Sequence, residues 1–220
     1  MMKRYLTTFT IFTFLTILQT VTLYAQTPEI VVSEYKTSGT EITEWTELLV
    51  IKDNLTLVGY SVRDNSQSDS WQGGIRFNDV RLWRNLRAGT IIVINHRSNG
   101  QTDENAKDGY IEVQATNTTL FTQFMDNSGG TWDQRALNLN ATADIVQIRD
   151  NNNNHIHSLS HGKSTDPDFL ALPSNAVLNH STAANGILRV YPGSTISDYI
   201  SPNSGDSKTE EGTTNDTKGL

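Results

Sequence analysis

Three histidines, His155, His157 and His161, come closest to a metal-ligand spacing in this 220-residue chain. On an extended strand all three share one face. Same-face neighbours lie roughly 6.6 to 7 Å apart, so His155 and His157 could share a zinc ion, with Asp150 as a further ligand. His161 stands about 20 Å from His155 by the same rise and cannot join them. A solvent-facing polar strand face accounts for these residues equally well and is the commoner use. Asp150 and the asparagines at 151–154 offer calcium-type oxygens. They lack the alternating ligands, central glycine and late bidentate acid of a calcium loop. A hairpin turn is the ordinary role of such a run. Glu34, Glu44 and Glu47 fall on neighbouring expected strands. Paired acids serve glycoside hydrolysis when they stand about 5 to 9.5 Å apart across a cleft.

A basic and aromatic group stands out against the acidic background. Arg81, Trp83, Arg84, Arg87 and Arg97 cluster in sequence, and Trp71, Trp83 and Trp132 lie in or beside expected loops. Arginine with exposed aromatics is enriched at contact surfaces, and tryptophan stacks on sugar rings. Core-edge packing with snorkelling arginines competes with that reading and is favoured over it. If the chain has a contact surface, its candidates are Trp71, Trp83, Arg84, Arg87 and Trp132. No Gly-x-Ser-x-Gly elbow, Walker loop, dinucleotide fingerprint or His-Glu-x-x-His is present, so no catalytic, cofactor or metal residue is assigned.

Short strand-like runs must position these residues. They are expected at 30–35, 44–51, 60–63, 75–77, 90–95, 110–113, 144–149 and 155–161, each bounded by Gly, Asn, Asp or Ser. The run at 90–95 is the most apolar and reads as a central strand. Long polar connections fall at 98–108 and 126–134, with a turn at 136–139. Such spacing points to an all-β sandwich or barrel and away from βαβ units. On the second run, Trp45, Leu49 and Ile51 share one face, and their apolar area should point them inward. Gly59 suits a bend where a side chain would crowd the opposite sheet.

The chain opens on Lys3 and Arg4, an apolar stretch and a small-residue exit at Ala25. That is the layout of a secretory signal peptide, residues 1–25. Threonines interrupt the apolar run, which falls short of the about 20 residues of a spanning helix. No stable membrane insertion is expected after cleavage. The absence of cysteine leans towards a bacterial exporter. The mature part carries 15 Lys and Arg against 24 Asp and Glu, a formal −9. Nucleic acid needs a basic footprint and is not an expected partner. Residues 203–220 are polar and read as a flexible tail or linker, with the chain as the front piece of a longer protein.

Four ordered blocks resemble the lamin-tail domain family, in its secreted, Bacteroidota-type members. They are Glu44-Trp45-Thr46-Glu47-Leu48-Leu49-Val50, the stretch from Leu55 through Gly59-Tyr60 to Asp64, Leu86-Arg87-Ala88-Gly89 running into Ile94, and residues 143–162. The resemblance covers most of 30–162. Val58, the pair Ile51-Lys52, His157 and His161 depart from the family's usual residues, and the connections at 98–108 and 121–135 are longer. The resemblance implies an immunoglobulin-like β-sandwich over 28–202, with Glu34 and Glu47 as structural acids. It also implies a secreted or cell-surface non-catalytic binding or architectural module, with an extracellular protein or polysaccharide as partner. The alternatives are a carbohydrate-binding module, or the accessory or targeting domain of a secreted hydrolase such as a nuclease or phosphatase. A carbohydrate module predicts that Trp71→Ala or Trp83→Ala abolishes polysaccharide retention without unfolding.

Overall fold

A computed structural model describes residues 28–36, 44–65, 71–97, 101–126, 137–140, 144–161, 177–180 and 188–190. The expected signal peptide at 1–25, Trp132, and the tail at 203–220 lie outside the described residues. Among the described residues eleven strands run in chain order: β1 Ile30–Lys36, β2 Trp45–Val50, β3 Ser61–Asn65, β4 Trp71–Phe77, β5 Ile91–Asn95, β6 Tyr110–Gln114, β7 Phe121–Met125, β8 Asp144–Arg149, β9 His155–His161, β10 Val177–His180 and β11 Leu188–Val190. A 3-10 turn, Arg81–Trp83, lies between β4 and β5. The order is β11-β1-β2-β5-β6 in one sheet and β10-β9-β8-β3-β4-β7 in the other. The protein is an all-β sandwich.

All eight expected strands are present, and β5 lies inside its sheet between β2 and β6. Three strands escaped the sequence. β7 sits within a stretch that reads as an insertion, although Phe121 and Thr122 alternate buried and exposed. β4 is longer than its Ile75-Arg76-Phe77 signal because Gly73 and Gly74 dilute the pattern. β10 and β11 lie far down the chain and are short. Two pairings, β5 with β6 and β9 with β10, are parallel.

The core fills the space between the sheets. Ile30, Val32, Leu48, Val50, Ile92, Ile94, Ile111 and Val113 meet Val62, Ile75, Phe77, Phe121, Val146, Ile148 and Leu159. This corrects the expectation for β2. Leu48 and Val50 face inward, while Trp45 packs outside with Ile91, Val93 and Tyr110. The register explains why: Leu48 pairs with both Val32 and Ile92, which puts the even-numbered residues with the core. Trp45 satisfies its area on the outer face, where Val93 and Tyr110 cover it.

Two bulges set which polar residues face where. On β1 a register shift between Val32 and Glu34 changes the parity, so Tyr35 joins the core that Ile30 and Val32 belong to. On β9, Ile148 pairs with His157 and Arg149 with His155, leaving Ile156 as the extra residue. Gly59 does carry a close approach, at φ +83°, but its neighbour belongs to the β8–β9 turn and not to the opposite sheet. A Cβ there would stand 2.9 Å from Asn151 Cβ.

Candidate functional site

The expected surface residues separate. Trp83 is fully buried, at 0% exposure, and its ring meets Phe77 edge-on at 4.9 Å and Phe121 at 5.5 Å. Its Nε1–H donates to the Leu120 carbonyl at 3.1 Å. The 3-10 turn lays this indole against Phe77 of β4 and Phe121 of the adjacent β7, so Trp83 is withdrawn as a contact residue. Arg84 and Arg87 are exposed. Arg84 pairs with Asp79, and Arg87 donates to the Lys107 carbonyl at 2.8 Å. Trp71 opens β4 opposite Asn65, and its side chain, like all of Trp132, falls outside the described set.

The β9 bulge also breaks the expected histidine pair. His157 turns inward, where its Nδ1 accepts the Val32 N–H at 3.1 Å and joins the two sheets. His155 turns outward, with Nε2 2.8 Å from Ser158 Oγ. The Asp150 run is the hairpin turn: Oδ1 accepts the N–H groups of Asn152 and Asn154 at 2.9 and 2.7 Å, and Asn153 takes φ +67°. Among the described residues no group of three His, Asp or Glu is placed to hold a metal ion. Glu34 and Glu47 stand directly opposite each other on β1 and β2, buried, with Glu47 accepting from Ser33 Oγ at 2.8 Å. Glu44 lies on the other face of β2.

Glu44 belongs to a clasp at one end of the sandwich that no local motif announces. Three successive main-chain N–H groups meet three carboxylates from three different places. Asn138 donates to Asp64 at 3.0 Å, Leu139 to Glu44 at 3.1 Å and Asn140 to Asp144 at 2.6 Å. His96 stands beside them, its Nε2 3.0 Å from Thr46 Oγ1 and its Nδ1 3.8 Å from Glu44 Oε2. Burial holds His96 below the ordinary histidine range, against the pull of Glu44. Burial, then the Asp144 charge, pushes the Asp64 carboxyl well above the ordinary carboxylate range. A protonated Asp64 therefore favours the fold, and that contribution fades as pH rises. These acids fix a connection to the sandwich.

The outer face of the six-stranded sheet gathers a different set. Strand register places Ser158, Gln147, Arg63, Gly74 and Phe124 in one row, and His155, Arg149, Ser61, Arg76 and Thr122 in the next. Val62, Ile75 and Ile148 between them face the core, so these rows lie on the opposite face. There Ser61, Arg63, Gln147 and Ser158 are buried, Arg149, His155 and Phe124 half-buried, and Arg76 and Thr122 exposed. Gln147 Oε1 accepts from Arg63 Nε and from Arg149 Nε, both at 2.7 Å. Two arginine donors on one oxygen fix the amide orientation. Its buried Nε2 is left without an acceptor among the described residues, as is His155 Nδ1. Arg63 Nη1 pairs with Asp126 at 2.8 Å. Arg76 is exposed, and its guanidinium lies 5.4 Å from the centre of the half-buried Phe124 ring. Burial lowers the Arg149 pKa, and Asp126 opposes that shift.

The same face makes the fold acid-sensitive. Burial first, then the Arg149 and Arg63 charges, pulls the His155 pKa from 6.5 down to about 4. An unfolded chain takes a proton near pH 6.5 that the folded one refuses until about pH 4. Stability is therefore lost as pH falls through that window, by about 3 kcal/mol. Denaturant titrations at pH 7 and about pH 4 should show His155→Gln losing markedly less stability than the parent. Equal losses in both would mean that His155 is not held neutral.

Sequence reasoning missed Arg63, Arg76 and Arg149 because they come from three strands far apart in the chain. Only the register between β3, β4 and β8 brings them together. No protein-family model, curated protein or solved structure matches this chain.

Proposed function

We propose that this chain is a secreted or cell-surface, non-catalytic binding module of lamin-tail type, with an immunoglobulin-like sandwich. The observation that carries the reading is the arginine face: Gln147 sets two guanidiniums side by side, and Arg76 is held over Phe124. In a chain of net charge −7, the exposed Arg76 and the half-buried Arg149 are cations suited to contact, with the buried Arg63 beneath them. The contact surface is thus the outer face of the six-stranded sheet, in place of loops around Trp83. The non-catalytic part is supported by the acids, since Glu44, Asp64, Asp144 and Glu47 each spend an oxygen on holding protein groups. The family reading is supported by where its blocks fall. They lie on β2, on the turn leading into β3, on the turn at Gly89 before β5, and across β8 and β9.

Two measurements test the reading. Chain recovered from culture medium should begin at Gln26, the product of a cut after Ala25. The mature chain should be retained on an immobilised extracellular polysaccharide or protein, and the double variant Arg76→Gln/Arg149→Gln should lose that retention at an unchanged melting temperature. Retention that survives the double variant would place the contact elsewhere.

A further inference from the structure

The outer face of the six-stranded sheet opposes the sign of the whole chain. Arg63, Arg76 and Arg149 surround Ser61, and Asp126 pairs with Arg63. Arg63 is largely spent on Gln147 and Asp126, and it is buried. Arg149 commits its Nε to Gln147, which leaves the Nη edge of a half-buried guanidinium directed away from the amide. A guanidinium with its Nε already fixed is pre-oriented for a two-point bond to a carboxylate. Arg76, exposed and stacked over Phe124, makes no ion pair among the described residues. The two arginines sit on β8 and β4 with β3 between them, so their backbones are about 10 Å apart.

We propose that this face binds an acidic polysaccharide of the polyuronate kind, with the Arg149 and Arg76 guanidiniums each taking a sugar carboxylate. The proposal rests on the binding-module reading above and names the ligand of that same face. A spacing of two strands suits a polymer whose acids recur at intervals, and a single small anion would use only one arginine. The remaining groups suit a sugar as well. Thr122 is exposed beside Arg76, and His155 stands neutral beside Arg149. Nucleic acid fits less well, because its dense phosphates call for many cations and this chain carries net −7.

Affinity electrophoresis of the mature full-length chain tests this, using gels that contain polygalacturonate, dextran or double-stranded DNA. Retardation is expected in polygalacturonate, weakening as salt is added, with none in dextran or DNA. Arg76→Gln and Arg149→Gln should each weaken the polygalacturonate interaction about tenfold, the effect of losing one charge-assisted contact. Thr122→Glu serves as the second probe. It leaves every arginine in place and adds a carboxylate next to Arg76, and it should weaken retention comparably. No retardation in polygalacturonate overturns the proposal, as does retardation that all three variants share with the parent. Retardation by DNA equal to that by polygalacturonate overturns it too, since any polyanion would then serve. Retardation in dextran alone also overturns it, while leaving the binding-module reading intact.

Discussion

Trp83→Ala should destabilise the domain by about 3–5 kcal/mol, the range for removing a large aromatic side chain from a packed core. The indole is fully enclosed, and Phe77 and Phe121 contact each other at 5.2 Å as well as contacting Trp83. Phe77 and Phe121 are themselves anchored on paired strands, which limits how far they can close over the space. Losing the indole also leaves the Leu120 carbonyl without its Nε1–H donor. Trp83→Phe should cost less, since it keeps most of the ring contact and gives up the hydrogen bond. Denaturant midpoints for the parent and the two variants give the answer. A cost within about 0.5 kcal/mol for Trp83→Ala would return the residue to the surface and reinstate it as a contact candidate. The carbohydrate-module expectation of lost retention without unfolding cannot hold at Trp83 if the large cost is observed.

Gly74→Ala should be at least as damaging as ordinary overpacking, about 3 kcal/mol. A Cβ at this position would be driven against the Val62 carbonyl oxygen and would stand 2.8 Å from Arg63 Cα. Both are main-chain atoms of β3, so no side-chain rotation relieves the clash. The strands would have to part where Arg63 pairs with Gly74. That separation would move Arg63 off Gln147 and disturb the arginine face along with the core behind it. The prediction is a melting temperature lowered by about 6 to 12 °C, if 1 kcal/mol corresponds to about 2–4 °C in a domain of this size. A variant as stable as the parent would show that β3 and β4 are spaced more widely than the structure has them.

The fold class was legible because its signals are local. Alternation of buried and exposed residues, and turns rich in Gly, Asn and Asp, need no knowledge of partners. Which face of a strand turns inward was less legible, and β2 shows why. Trp45 is the largest apolar residue of its strand, yet the residues opposite Leu48, namely Val32 and Ile92, decide the matter. The histidines failed for a related reason. Their expected geometry assumed an unbroken strand, and one extra residue at Ile156 sends His155 and His157 to opposite sides. The clasp and the arginine face were beyond local reading altogether. Asp64 and Asp144 are 80 positions apart in sequence, and their common neighbour, the main chain at 138–140, has no side-chain signal at all. Asp150 is legible as a turn because its partners lie within four residues.

The most direct measurement takes the mature chain and its Arg76→Gln/Arg149→Gln variant onto immobilised neutral and acidic extracellular polysaccharides. Polymer length is followed in the same samples. The parent should be retained on at least one polymer, the polymer should stay intact, and the folded variant should pass through. Shortened polymer would make the protein a catalyst, and equal retention of parent and variant would remove the arginine face from its function.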